Sequence, residues 1–182
     1  MGHLMLQTER LLLRQFTEDD ADNLFALDSD PEVMRYIGPP PHATVEGYRQ
    51  MVRERFLPQY ERGQGGTWAA AERTSGEFLG WMCMRPARDH RFAKEAGFQD
   101  GDLELGYRLK RSAWNKGYAT EGSHALIRKA WAELGAKRVV ACALVGNVAS
   151  TRVMVKVGLK YDETFAMPGF EMPAVRYVMN KS

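Results

Sequence analysis

Cysteine is scarce in this 182-residue chain: Cys83 and Cys142 are the two, and no C-x-x-C pair occurs. That excludes a disulfide-stapled fold and a cysteine zinc knuckle. Both lie in apolar, strand-like stretches, which fits reduced core thiols of a cytoplasmic protein. Histidine is no richer; His3, His42, His90 and His124 are scattered, so no metal site is expected. Long apolar runs are missing too. The longest, Val139–Val145, has seven residues, far short of the ~20 a membrane-spanning helix needs. The opening residues lack a charged-then-apolar leader pattern, because Glu9, Arg10 and Arg14 interrupt it. Neither charge sign dominates: 25 Lys and Arg against 23 Asp and Glu leave +2, and no basic run exceeds two residues. A nucleic-acid binder would carry a basic stripe, so nucleic acid is not expected as a partner, nor is a membrane.

What is present is ordinary globular material, 45% apolar and 26% charged, enough for one domain over 1–182 with its own core. Met1-Gly2-His3 reads as the remnant of an expression tag. The periodicity predicts a strand over Leu4–Phe16, bent at Thr8-Glu9-Arg10. Thr17, with Asp20 in a capping-box position, opens a helix whose buried side is Leu24, Phe25 and Leu27. Asp30-Pro31 starts a second short helix that stops by Gly38. A longer one runs from Thr44 to about Arg62, with Val45, Tyr48, Met51, Val52 and Phe56 inward and Pro58 ending or kinking it. Thr67–Glu72 and Phe78–Arg85 form a hairpin around Thr74-Ser75-Gly76. The connector Pro86–Asp102 has no period of either kind, and such connectors are often functional. After the central segment come a strand at Lys137–Val145, a short helix at Ser150–Val157, and strands at Leu159–Phe165 and Val175–Asn180. This order predicts an α+β fold: a mixed, mostly antiparallel sheet with helices on its faces.

The chain is organised around Leu103–Glu121. Leu103, Leu105, Tyr107 and Leu109 alternate with Glu104, Gly106 and Arg108, the period of a half-buried strand. Lys110, Arg111 and Lys116 then charge a loop that ends at Gly117, and Tyr118–Leu134 turns helical until Gly135. A helix entered from a cationic loop through a glycine is an anion site, because its first amides are unpaired and its dipole favours negative charge. Neither GxxxxGK[ST] nor G-x-G-x-x-G fits the loop.

The loop W-N-K-G-Y-A, Trp114 to Ala119, resembles the pyrophosphate loop [QR]-x-x-G-x-[GA] of GNAT acetyltransferases, with Trp for Gln or Arg in the first position. That departure, the following T-E, and the T-E-R-L-L-L-R of Thr8–Arg14 are similar to the RimJ/RimL branch of N-terminal acetyltransferases. Independently, N-V-A-S-T-R-V-M-V-K-V-G-L from Asn147 resembles the family pattern N-x-x-[AS]-x-x-x-[YL]-x-K-x-G-[FL] at Asn147, Ser150, Lys156, Gly158 and Leu159. The resemblance covers nearly the whole chain.

It implies the GNAT acyltransferase fold and acetyl-CoA in a splayed V between two neighbouring strands, without a metal. The backbone around Tyr107 and Leu109 would pair with the pantetheine arm. The N–H groups of Asn115, Lys116, Gly117, Tyr118 and Ala119 would hold the pyrophosphate beside Trp114. Asn147 would bond the pantetheine, and Ser150 would sit near the thioester. Glu104, on the central strand, is the expected base for the amine; its alternative is a surface carboxylate or a pair with Arg108. Many family members place a Tyr acid where this chain has Met154, so the resemblance to the branch implies its Ser, here Ser150, as the acid; the alternative is a thiolate that leaves unprotonated. The acceptor would be a primary amine, on a protein or peptide N-terminus or on a small molecule. A polycationic acceptor would want an acidic cleft, which Glu95, Asp100, Asp102 and Glu104 could supply. Whether the protein acts as a homodimer is left open, and a non-catalytic acyl-CoA-binding protein is the alternative of another class.

Overall fold

The first segment folds back on itself. In the computed structural model, which describes residues 2–181, β1 (Leu4–Gln7) and β2 (Leu11–Arg14) are two antiparallel strands, not one bent strand. Thr8 makes the reversal: its amide donates to the Leu11 carbonyl and its hydroxyl accepts from the Leu11 amide at 2.9 Å. Met1, the first residue of the expected tag remnant, lies outside the described residues.

Next come α1 (Ala21–Asp28), α2 (Pro31–Met34), α3 (Val45–Met51) and α4 (Leu57–Arg62). Asp20 accepts from the Thr17 amide at 3.0 Å, as the capping box requires. On α1, Asp28 is buried while Phe25 is only half-buried, so the inward stripe sits a little differently from the one expected. The long helix is interrupted by a π turn over Val52–Phe56, where the Leu57 amide reaches back to the Val52 carbonyl. Pro58 has no N–H for the Glu54 carbonyl, and the widened turn accommodates that loss without breaking the rod.

Six more strands complete an eight-stranded sheet: β3 (Gly66–Glu72), β4 (Phe78–Pro86), β5 (Asp102–Leu109), β6 (Arg138–Leu144), β7 (Lys160–Phe165) and β8 (Ala174–Asn180). The order is β1-β2-β3-β4-β5-β6-β8-β7, and every pairing is antiparallel except β5 with β6. The two remaining helices, α5 (Tyr118–Ala132) and α6 (Val148–Lys156), pack Leu126, Ile127, Ala130 and Met154 on one face of the sheet. The four early helices cover the other face with Leu24, Leu27, Tyr48, Val52 and Phe56. The expected mostly antiparallel sheet with helices on both faces is what forms.

Candidate active site

β5 and β6 begin as a parallel pair and then part. Their register holds for Asp102↔Arg138, Leu103↔Val139 and Glu104↔Val140 only, while β6 stays paired with β8 as far as Leu144. Beyond Glu104 the two strands therefore diverge in a V. On the other side, β5 remains paired with β4, and the Lys110 amide donates to the Leu79 carbonyl at 2.7 Å. The alternation of an antiparallel ladder then turns the N–H and C=O groups of Leu105, Tyr107 and Leu109 away from β4 and into the V. One of them is occupied: the Trp114 indole donates to the Leu109 carbonyl at 2.8 Å. The free edge there is an open strand that an extended amide chain can complete.

At the mouth of the V stands the start of α5. Gly117 is its N-cap with φ +84°, and Asn115 adopts φ +59° in the same loop, a left-handed conformation that Asn tolerates better than most residues. Among the described residues the amides of Asn115, Lys116 and Gly117 meet no protein acceptor, and the first helical amides are orphans by helix geometry. A Cβ on Gly117 would meet only the far end of Arg10, 3.2 Å away, so the approach is open.

Glu121, a carboxylate in the first turn of α5, would oppose an anion there. It is instead bound by the opening segment: Thr8 Oγ1 donates at 2.6 Å, the Arg10 amide at 2.8 Å and Arg10 Nε at 2.7 Å. Burial alone would raise its pKa, but the bonds from Thr8 and Arg10 outweigh that and hold it below the usual value. Arg10 also donates to the Lys116 carbonyl at 2.8 Å and lies over the Tyr118 ring, so it braces the loop from behind. Two motif fragments read separately in the sequence thus meet in one cluster.

The V continues into a cavity of about 340 Å³ that reaches Asn147 and Ser150 on one side and Tyr36, Phe92 and Phe170 on the other. Glu104 lies on its wall, 6% exposed, at the point where the strands part. Its Oε2 accepts from Arg85 Nε at 2.9 Å, and its Oε1 lies 3.6 Å from His90 Nε2. Its expected alternative partner is elsewhere: Arg108 Nη1 donates to Asp28 on α1 at 2.6 Å, because the helix packs a buried carboxylate against that stretch of the strand. Burial pushes the His90 imidazole below its ordinary value, and Arg85 and Arg91 add to this against the pull of Glu104. His90 Nδ1 accepts from the Phe92 amide at 3.1 Å, so the neutral ring carries its proton on Nε2, directed toward Glu104. His90 comes from the connector that had no sequence period.

Ser150 and Asn147 flank the other arm of the V. The Tyr107 hydroxyl donates to the Ser150 carbonyl at 2.9 Å and lies 3.2 Å from Ser150 Oγ. Burial raises the Tyr107 phenol to about 12, with the Ser150 bond working against it. The sequence singled out Tyr107 for its backbone, and nothing local announced the hydroxyl contact. Asn147 Oδ1 caps α6 by accepting from the Ser150 amide at 3.2 Å, which leaves the side-chain NH₂ as the group able to face a ligand. Met154 is buried in the core, as a non-acid residue there should be.

The acidic cleft is not formed. Asp102 is buried and bound twice by Arg138, at 2.8 and 2.6 Å, and neither it, Glu95 nor Asp100 lines the cavity. Of the four carboxylates only Glu104 does.

The chain matches the acetyltransferase (GNAT) domain family over residues 10–160. It is 32% identical to the FsC-acetyl coenzyme A-N(2)-transacetylase of Aspergillus fumigatus, an alignment covering 97% of this chain and 76% of that protein. Among solved structures, its fold is similar to RimL, a ribosomal L7/L12 alpha-N-protein acetyltransferase in complex with coenzyme A. The TM-score is 0.80 at 16% identity, over 98% of each chain. It is also similar in fold to the aminoglycoside acetyltransferase AAC(6')-Ib in complex with coenzyme A, with TM-score 0.74 and 20% identity over 94% of this chain and 95% of that one. With a strand pair that opens beside a helix start whose amides are free, and a family match across most of its length, this chain belongs to the GNAT family as an acetyl-CoA-dependent N-acetyltransferase.

Proposed function

We propose that the protein acetylates a primary amine, foremost the N-terminal amine of a peptide or protein, by direct attack in a ternary complex. The observation that carries this reading is the position of Glu104. It is the last β5 residue still paired with β6, so its carboxylate stands on the cavity wall where the V opens.

The residues present fit acetyl-CoA: an open strand edge for its arm, unpaired amides at a helix start for its pyrophosphate, and a cavity beyond. When bound, it supplies the thioester whose acetyl group is transferred and whose thiolate leaves. The amides of Asn115, Lys116, Gly117, Tyr118 and Ala119 hold the pyrophosphate with the helix dipole behind them. Lys116 adds a cation, and Trp114 anchors the loop to β5. The free backbone groups of Tyr107, the Leu109 N–H and the Asn147 NH₂ hold the arm, and an N–H of β5 near Tyr107 polarises the thioester carbonyl.

Glu104 takes the proton of the incoming ammonium, directly or through one water, at Oε1, while Arg85 fixes Oε2. His90 has its Nδ1 lone pair engaged and so orients the carboxylate rather than replacing it. Ser150 Oγ, beside the Tyr107 hydroxyl, donates a proton to the leaving thiolate. The second reading, a small amine acceptor, is favoured by the partly enclosed cavity and by the fungal relative's name.

The test is free-thiol release from acetyl-CoA across N-terminal peptides, free amino acids, polyamines and aminoglycosides. Peptides are expected to be turned over. If acetyl-CoA leaves the melting temperature unchanged and no amine releases thiol, the reading is wrong; a ligand at 100 times its Kd should add about 2.7 kcal/mol.

A further inference from the structure

The charges on the cavity wall do not balance. Three carboxylates face the cavity: Asp28, Asp89 and Glu104. Each already has a guanidinium partner: Arg108 on Asp28 at 2.6 Å, Arg62 on Asp89 at 3.1 Å, and Arg85 on Glu104 at 2.9 Å. Two further wall residues, Arg55 and Arg91, make no ion pair among the described residues. Arg91, an exposed residue, lies over the Phe92 ring, 4.2 Å from its centre. His90, held below its ordinary value by burial, adds no charge that offsets them.

Arg55 is the more telling of the two. It sits in the π turn, on the same side of the rod as Val52, Phe56 and Gln59, all buried. Apolar or neutral residues fill that stripe elsewhere, whereas Arg55 is itself exposed and lines the cavity. The protein around it supplies no carboxylate to favour its charge. Although the side chain is exposed, neighbouring atoms partly desolvate it and lower its pKa, and the nearby Arg85 lowers it further, with no carboxylate working in the other direction. The cations of Arg14, Arg53 and Arg138, by contrast, are raised by their carboxylate partners. Arg55 and Arg91 are both exposed, and they share the cavity wall with Tyr36, Met51, Phe92 and Phe170.

We infer that the acceptor amine carries a nearby carboxylate, and that Arg55, with Arg91 beside the same cavity, binds it while Glu104 receives the amine. This rests on the acetyl-transfer reading above and narrows it: polyamines and aminoglycosides, which bring only positive charge, are excluded. A guanidinium presents two parallel donors that match a carboxylate, and such a bond is among the stronger ones a site can make. The carboxylate belongs either to an acidic side chain next to an N-terminal amine or to a free amino acid.

The experiment compares kcat/KM, by thiol release, within matched pairs. One pair is C-terminally amidated peptides with Asp or Asn in second position; the other is free amino acids and their amides; spermidine is the third arm. In at least one pair the carboxylate member should exceed its amide by about tenfold or more, the size of one charge-assisted hydrogen bond, and which pair responds names the source. Arg55→Gln should abolish the preference, Arg55→Lys should keep part of it, and the KM for acetyl-CoA should not move in either. Equal turnover of acid and amide in both pairs, spermidine as the best acceptor, or a preference that survives in Arg55→Gln would overturn the inference and make Arg55 a solvated rim cation. If no amine releases thiol although acetyl-CoA binds, the transfer reading is what fails. Calorimetric titration of the same pairs into the CoA-loaded protein then decides this inference: tenfold tighter binding of the acids supports it, and equal affinity overturns it.

Discussion

Glu104→Gln removes one negative charge and almost no volume, and the structure lets its two consequences be separated. The carboxylate is 6% exposed and accepts from Arg85 Nε at 2.9 Å, and the Arg85 side chain is itself only 14% exposed. Breaking a buried pair by removing one partner costs about 3–5 kcal/mol, because the other charge is left uncompensated. The Gln oxygen can still accept from Arg85, which puts the loss at the lower end, and the melting temperature should fall by about 6–12 °C for a chain of this size. The second consequence is catalytic. A positioned base is typically worth about 10²–10⁴-fold, so turnover below the melting transition should drop by that factor, with acetyl-CoA binding nearly unchanged. The deficit should shrink as pH rises and the amine deprotonates unaided. That recovery should centre near pH 8 for an N-terminal amine and near 10 for an alkyl amine, which makes the profile a report on the acceptor as well. The double variant Glu104→Gln/Arg85→Gln separates the two effects. It removes the orphaned cation and should recover much of the lost stability, but none of the rate. If Glu104→Gln turns over normally at neutral pH, or if the double variant regains activity, then Glu104 serves only to neutralise Arg85 and the base lies elsewhere.

Two further outcomes follow from the geometry. Gly117→Val places a β-branched residue at φ +84°, a strain of roughly 1–3 kcal/mol, and puts methyl groups where the loop amides must meet a pyrophosphate. CoA affinity by calorimetry should fall at least tenfold with the fold retained, and unchanged affinity would mean the anion binds elsewhere. Asp20 accepts from both Arg14 Nη atoms at 2.7 Å and is 3% exposed; burial would raise its pKa, but the Arg14 and Thr17 bonds pull it below the usual carboxylate value. A folded pKa below the unfolded one gives stability that is full above about pH 4 and is lost as pH falls through the lower, folded value. Asp20→Asn should therefore cost about 3–5 kcal/mol in urea unfolding at pH 7 and flatten the acid limb of stability; an acid limb identical to the parent's would show that this pair does not set it.

Sequence by itself determined what short-range physics determines. The alternation from Leu103 to Leu109 made a strand, Gly117 let a helix start at Tyr118 with its amides free, and Asn147 capped the helix carrying Ser150. Those features depend on neighbours a few residues apart, and the loop spacing carried the family with them. The tertiary structure decided what depends on distant partners. Arg108 sought Asp28, 80 positions away, rather than Glu104 on its own strand face. Thr8 and Arg10 closed on Glu121 across more than a hundred residues and braced the Trp114–Ala119 loop from behind. The connector without a period brought His90 to Glu104, and Arg138 took up Asp102. A charge has no period along the chain, and its effect is set by whichever opposite charge the fold places within a few ångströms. That is why the strand, loop and helix cap of the expected cofactor site were legible in the sequence, whereas the pairing of each wall carboxylate with its arginine was decided only by the fold.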